Sequence, residues 1–410
     1  MLRRQRDFLK LWTGQAISQM GSRITREGLP YTAAIVLGAT PFQMGVLSGA
    51  SAASILIFGL FAGAWADRLR RRPILIVTDI GRALLLGTVP LAAILHRLTM
   101  AHLYAVAAIA GVLTVLFDVS YQAYVPSLVE RDQILAANSR LALSESVAEV
   151  TGPGLTGILA QWLTAPIAIA FDAASFLVSA VSLLLIRKPE PPPHPSADTG
   201  MVHEIREGLR TSWENPYLRA LAFRSVVAGF SGGLIGSMYV LFSIRVLHLT
   251  PAILGATISF GGFAAVAGSA FAERIAKRLG LGRAFIGASL YTGVCVLFFP
   301  LAHGSVTTAV VFMLIAQLGD AGWPVYTIGE TSLRKSVTPD RLLGRVNSAM
   351  HLLFRGIVPV GAFAGGAMAS AIGIRQTMLA GAAGFLLSSL CLILSPIRKL
   401  EDLAAVAVAD

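Results

Sequence analysis

Long apolar stretches separated by short polar segments recur along the whole chain. A helix needs about 20 apolar residues to cross a hydrocarbon core of roughly 30 Å. The stretches run continuously apolar, whereas the strands of a membrane barrel would alternate, so the pattern predicts helices. Twelve predicted spans cover 11–37, 44–66, 74–96, 103–126, 141–163, 167–186, 217–244, 253–272, 284–302, 306–332, 346–372 and 376–396. The expected class is therefore an all-α membrane protein with twelve transmembrane helices.

Composition and charge favour membrane insertion. Of the 410 residues, 55% are hydrophobic and only 13% are charged, whereas soluble domains carry about 25% charged residues. The net charge of +11 is concentrated in alternate loops and at both ends of the chain, as is typical of cytoplasmic segments. The charge therefore indicates topology and argues against nucleic-acid binding. We expect a multi-pass protein of a bacterial cytoplasmic (inner) membrane, with both termini in the cytoplasm.

A proline-rich segment divides the chain into two halves. Residues 187–195 read Arg-Lys-Pro-Glu-Pro-Pro-Pro-His-Pro, and such a sequence cannot continue a helix. Six predicted spans precede it and six follow. The pattern predicts an N-terminal six-helix bundle (1–188), a cytoplasmic linker (189–215) that contains a short amphipathic helix, and a C-terminal six-helix bundle (216–410).

The two halves share short sequence matches. Asn138 corresponds to Asn347, and Gly152 corresponds to Gly361. The chain contains only three asparagines, and two of them lie at matching positions. Repeats in the same order with an even number of spans indicate parallel halves.

A dense basic segment separates the second and third predicted spans. Its Gly-x-x-x-Asp-Arg-x-x-Arg-Arg pattern resembles the loop motif of the major facilitator superfamily, in which Arg70 takes the place of a glycine. The motif positions are Gly63, Asp67, Arg68, Arg71 and Arg72. In relatives such a loop closes the cytoplasmic gate, with the acid at the end of a neighbouring helix and the arginines paired with acids across the halves. The alternative is that the arginines only set topology.

A narrower resemblance is to the macrolide-efflux and enterobactin-exporter-like group of bacterial exporters. The segments that carry it are 21–30, 38–45, 117–126 and 171–176. This resemblance implies export of amphipathic small molecules such as drugs or siderophores.

Charged residues inside predicted spans are candidates for proton coupling. Each costs roughly 2.5–3.5 kcal/mol on insertion scales, so it needs a partner or a function. Carboxyl groups in apolar surroundings exchange protons nearer neutral pH, because burial disfavours the charged form. The candidate proton carriers are Asp118, Glu145, Glu149 and Asp320. The candidate cavity charges are Arg26, Glu27, Arg224, His351 and Arg355. The resemblance implies that the first, fourth, seventh and tenth helices line a central cavity; the alternative is a set of static ion pairs.

Within these sets, Asp118 is the preferred proton carrier, with Arg26 as its expected counter-charge. The spacing of Asp79 and Arg82 predicts a local ion pair. Asp172 is interpreted as a residue at the start of its helix.

The fifth predicted span contains Gly152, Pro153 and Gly157, which resemble an antiporter motif. Small residues allow close helix approach and proline bends a helix, so ordinary packing is the alternative.

These observations predict a secondary active transporter that exports its substrate in exchange for protons by alternating access. We expect no enzyme activity, no metal and no cofactor other than the proton gradient. The expected partners are a small-molecule substrate and membrane lipid, and the expected state is a monomer. A chain without a Gly-x-x-x-x-Gly-Lys loop is not expected to use ATP. Two other functions stay open: uptake of a nutrient or metabolite, and a membrane sensor or scaffold without transport.

Overall fold

The structure is a computed structural model that describes residues 6–190 and 201–400. Within that range it describes the backbone, but not the side chains, of residues 55, 59–68 and 201–204. Three positions of the predicted gating loop, Gly63, Asp67 and Arg68, therefore have side chains outside the described residues.

The chain forms two compact units. The first unit comprises Met1–Ala197 and Thr250–Ser259, and the second comprises Asp198–Leu249 and Phe260–Asp410. The helices of the first unit are α1 (Arg6–Tyr31), α2 (Pro41–Arg68), α3 (Arg71–Ile94), α4 (Met100–Leu128), α5 (Ile134–Leu163) and α6 (Ala165–Leu184).

The second unit begins with a short helix, α7 (Met201–Glu214), and continues with the long helices α8 (Pro216–Arg245) and α9 (Pro251–Leu279). The first turns of α9, up to Ser259, belong to the first unit. The remaining helices are α10 (Leu281–Val296), α11 (Phe298–Leu301), α12 (Val306–Leu318), α13 (Gly322–Ser336), α14 (Asp340–Ile372), α15 (Ile374–Leu387) and α16 (Leu390–Ile393).

Several predicted spans are interrupted helices. A 3₁₀ turn, Gly319–Ala321, separates α12 from α13 within one apolar segment. Asp320 lies in this turn, so the tenth predicted span carries its acid at a break in the helix. Glycines on both sides of Asp320 allow neighbouring elements to approach closely, since a Cβ on Gly322 would overlap the Thr292 hydroxyl.

Ten helical segments of the described part of the chain are long and apolar enough to cross a membrane, and three of them, Leu281–Leu301, Val306–Ser336 and Ile374–Ile393, each join two consecutive helices. Two of the twelve predicted spans correspond to α1 and α5, which are not among those ten although they contain 26 and 30 residues. Both are long enough to cross, but their charged and polar residues lower their hydropathy. The helical class predicted from the sequence is confirmed, and α1 and α5 carry several of the candidate charges.

Helix packing in the first unit depends on small residues. A Cβ on Gly157 of α5 would overlap the carbonyl oxygen of Pro251 at the start of α9, and one on Gly255 of α9 would overlap the carbonyl oxygen of Pro153. The backbone N–H of Gly154 donates a hydrogen bond to Ser259 Oγ at 2.9 Å. Pro153 and Gly157 of the antiporter-like motif therefore lie where α5 and the start of α9 are in backbone contact, whereas Gly152 faces α1.

Candidate functional site

Charged side chains of α1 and α5 meet in the first unit. Two nitrogens of the Arg23 guanidinium contact the two Glu149 carboxylate oxygens, at 2.5 and 2.8 Å. Arg26 Nη1 lies 3.6 Å from Glu149 Oε1, and Arg26 Nε lies 3.9 Å from Glu27 Oε1. Gly152, one turn beyond Glu149, leaves the space that the Arg23 side chain fills. The structure thus groups three of the sequence-predicted residues around Arg23.

The Arg23–Glu149 pair yields a test of helix pairing. Replacement of either side chain by glutamine should weaken the α1–α5 contact, with a double-mutant coupling of about 1 kcal/mol. The coupling is small because the Glu149 side chain is 52% exposed, so water screens the pair. Unfolding of the two single variants and the double variant in detergent measures the coupling. Glu145, an exposed acid one turn earlier on α5, is the matched control and should show no coupling to Arg23.

A second charged group lies inside the helix bundle of the first unit. Arg82 Nη2 and Asp79 Oδ1 of α3 are 2.5 Å apart, with side chains 5% and 0% exposed, so the predicted pair is present. The Arg82 guanidinium carbon lies 4.3 Å from the ring centre of Phe117 and 4.0 Å from that of Phe176. Aromatic faces attract a cation when water is excluded, so the two rings stabilise this buried guanidinium.

Two further carboxyl groups interact electrostatically with Arg82: Asp118 of α4 and Asp172 of α6. Asp118 is exposed, whereas Asp172 is buried and accepts a hydrogen bond from Ser175 Oγ at 3.1 Å. Asp172 lies inside α6 rather than at its start, so the helix-start interpretation was wrong. The position of Asp172 along the chain does not reveal that its side chain faces α1. There Gly21 packs against the Asp172 carboxylate.

The group formed by Asp79, Arg82, Asp118 and Asp172 is here called the Arg82 cluster. It contains three carboxyls and one guanidinium, and it extends from exposed Asp118 to buried Asp79 and Asp172. Among the sequence-predicted carriers, only Asp118 belongs to it. The position of Asp172 was missed although it carried a usable signal, because an acid inside an apolar span requires a partner.

The second unit contains a different cationic site. The Arg224 side chain of α8 is buried, and its guanidinium carbon lies 3.6 Å from the ring centre of Tyr326. Trp323 and Phe385 lie further away, at 6.0 and 5.7 Å. Glu330, the acid whose charge acts on Arg224, forms its ion pair with Arg334 at 2.6 Å. Arg224 is therefore held mainly by aromatic faces.

The other predicted residues of the second unit are not assembled with Arg224. His351 and Arg355 are exposed on α14. Asp320 lies beside Gly261 of α9, where a Cβ would overlap its carboxylate.

The described part of the gating loop is anchored within the first unit. Backbone N–H groups of Arg71 and Arg72 donate to the two Glu190 carboxylate oxygens, at 2.6 and 3.2 Å. The Arg71 side chain donates to the carbonyl of Ala123, and Arg72 donates to those of Leu183 and Leu184. Glu190 thus satisfies the N-terminus of α3, where a negative charge is favourable, while the arginines bind carbonyls near the ends of α4 and α6. Sequence reasoning did not assign Glu190 a role, because it lies in the proline-rich linker.

Comparisons with known proteins agree with this helical architecture. The Multidrug efflux pump Tap of Mycolicibacterium fortuitum is 26% identical over 373 residues, which cover 88% of each chain. The uncharacterized MFS-type transporter YfiS of Bacillus subtilis (strain 168) is 24% identical over 221 residues, about half of each chain.

Solved structures show the same fold. The nucleoside transporter NupG superposes with a TM-score of 0.76 at 12% identity, covering 95% of this chain and 98% of that one. A bacterial homologue of the human lysosomal transporter Spinster, inward-facing and unoccupied, gives 0.74 at 15% identity and covers 99% of both chains.

The family model of the Major Facilitator Superfamily matches residues 11–361. This match, together with the apolar helices, indicates a multi-pass membrane transporter rather than an enzyme. The chain therefore belongs to the major facilitator superfamily.

Proposed function

We propose that this protein exports amphipathic small molecules, with drugs as the first class to test, from the bacterial cytoplasm in exchange for protons. The observation that carries the proposal is the similarity to the multidrug efflux pump Tap along most of both chains. The proposed mechanism is alternating access, in which one binding site opens to each face of the membrane in turn. Both termini are expected in the cytoplasm, where the basic loops are stabilised.

The Arg82 cluster supports proton coupling. Arg82 interacts electrostatically with all three carboxyl groups, and a buried charge in apolar surroundings is costly unless it is compensated. Protonation of one carboxyl therefore changes which of the others pairs with Arg82. Asp118 is the proposed point of entry, because it is the exposed member of the cluster. Asp79 and Asp172, on α3 and α6, are the groups whose pairing would respond.

This response links a proton to helix positions. Asp118 is on α4, Arg82 is on α3 and Asp172 is on α6 beside α1. A change in ion pairing at Arg82 therefore alters the forces between four helices of one unit. An equilibrium between two conformations can shift by as much as the proton's differential affinity for them.

The test uses everted membrane vesicles, a fluorescent cationic drug and an imposed pH gradient. The wild-type protein should accumulate the drug only when the gradient is present. Asp118→Asn should abolish gradient-driven accumulation but retain drug exchange at equal pH, because the carboxyl is needed for coupling and not for the drug pathway. Asp132→Asn removes an exposed acid in the turn before α5 and should leave both activities unchanged.

The outcomes separate the parts of the proposal. Normal gradient-driven accumulation by Asp118→Asn would remove Asp118 from the coupling role. Absence of protection by the wild-type protein, in a pump-deficient bacterium challenged with a panel of drugs and siderophores, would refute export itself. Growth that depends on the protein and a supplied nutrient would instead support uptake.

A further inference from the structure

A groove of about 740 Å³ lies between α9, α10 and α13 in the second unit. Its wall is mainly apolar and includes Phe271, Ile275 and Val325. Gly287 of α10 also lines it, and a Cβ built on this glycine meets no atom within 4 Å. The space in front of Gly287 is therefore open and large enough for an apolar chain.

One end of the groove is basic. Arg274 and Arg278 lie one turn apart near the C-terminus of α9, line the groove and are exposed. The nearby acid Glu273 pairs with Lys277 at 2.6 Å, and Lys277 does not line the groove. Within the described residues no hydrogen bond or ion pair is formed by the Arg278 side chain. Two guanidinium groups thus face the same opening, and neither forms an ion pair with a carboxylate of the described part of the chain, although the charge of Glu273 also acts on Arg274.

The dimensions match one leaflet of a bilayer. From Ala267 to Arg278 the groove follows α9 for about 16 Å, at a rise of 1.5 Å per residue, and half of the hydrocarbon core is roughly 15 Å. Phe263 and Val266 on α9 are exposed, as expected for a surface in contact with lipid. The basic end of α9 is the end that the charge pattern assigns to the cytoplasm.

We infer that this groove binds an anionic phospholipid of the cytoplasmic leaflet, with an acyl chain along the apolar wall and the phosphate between Arg274 and Arg278. The apolar length requires an acyl chain, and basic pockets between helices on the cytoplasmic side recognise anionic headgroups. A cationic drug would be repelled by the two arginines. The site is separate from the Arg82 cluster, so it does not depend on the proposed direction of transport.

Native mass spectrometry of the purified protein with dioleoylphosphatidylglycerol or dioleoylphosphatidylcholine tests the inference. The wild type should bind the anionic lipid more tightly. Arg274→Gln with Arg278→Gln should weaken that binding roughly twenty-fivefold, about fivefold for each arginine, and leave phosphatidylcholine binding unchanged. Arg283→Gln with Lys335→Gln is the control, because it removes the same charge from positions outside the groove.

Gly287→Leu tests the apolar wall separately. The substitution should weaken the binding of both lipids and keep the preference for phosphatidylglycerol. The leucine side chain fills the acyl-chain site but does not contact the arginines. Thermal unfolding of each variant checks that it is folded. An equal loss of phosphatidylglycerol binding in the arginine variant and in its control would overturn the inference. So would unchanged lipid binding by a folded Gly287→Leu variant.

Discussion

Replacement of Arg82 by leucine is expected to destabilise the protein by about 3–5 kcal/mol. The change keeps an apolar side chain between Phe117 and Phe176, so packing is largely retained. It leaves the buried Asp79 carboxylate without its guanidinium partner, 2.5 Å away in the wild type. The loss is large because the Asp79 carboxylate still pays the cost of its removal from water but no longer has the attraction of the Arg82 guanidinium.

Denaturant unfolding in mixed micelles would measure this loss. Asp79→Asn combined with Arg82→Leu should recover part of the stability, because no carboxylate is then left unpaired at position 79. The control is Arg210→Leu, which removes an arginine from the exposed Arg210–Glu214 pair of α7 and should have no measurable effect. Equal destabilisation by the Arg82 and Arg210 variants would show that the buried pair is not structurally important.

Two adjacent glycines of α8 are expected to respond in opposite directions to alanine. A Cβ on Gly233 would overlap the carbonyl oxygen of Val358 on α14 and lie 2.8 Å from the Ala362 nitrogen. A Cβ on Gly232 meets nothing within 4 Å. We therefore expect Gly233→Ala to destabilise by about 1–3 kcal/mol through overpacking. Gly232→Ala should stabilise by about 0.5–1 kcal/mol, because alanine is the better helix former.

The same unfolding assay measures both variants, and each is the other's control. The expected sign difference arises from the contact between α8 and α14, since the two sites share one helix and one substitution. Destabilisation of equal size at both positions would mean that the flexibility of α8, not its contact with α14, requires glycine.

The sequence predicted what depends on local geometry. Spans follow from length and hydropathy, and the Asp79–Arg82 pair follows from positions three residues apart on one helix. Partners on different helices could not be assigned, because they depend on how each helix is rotated about its axis. Arg23 was thus not assigned to Glu149, and Asp172 was placed at a helix start although it faces α1.

The position of Asp320 could not be predicted for a different reason. Its apolar surroundings favoured one continuous helix, but contacts of Gly319 and Gly322 with α10 accompany a 3₁₀ turn there. The gating arginines illustrate a third limit. Their charge is evident from the sequence, but the described partners of their side chains are backbone carbonyl groups. Every residue has a carbonyl group, so the sequence does not identify which ones the arginines bind.

The low hydropathy of α1 and α5 has a consequence for biogenesis. A segment that partitions poorly into lipid by itself is expected to need a more apolar segment synthesised soon afterwards before it leaves the translocon. Each of the two is followed directly by such a segment, since α2 and α6 are both apolar enough to cross a membrane. Insertion should therefore proceed in hairpins at these places, so that each charged helix enters the bilayer together with the more apolar helix that follows it, and α1 pairs with α5 afterwards.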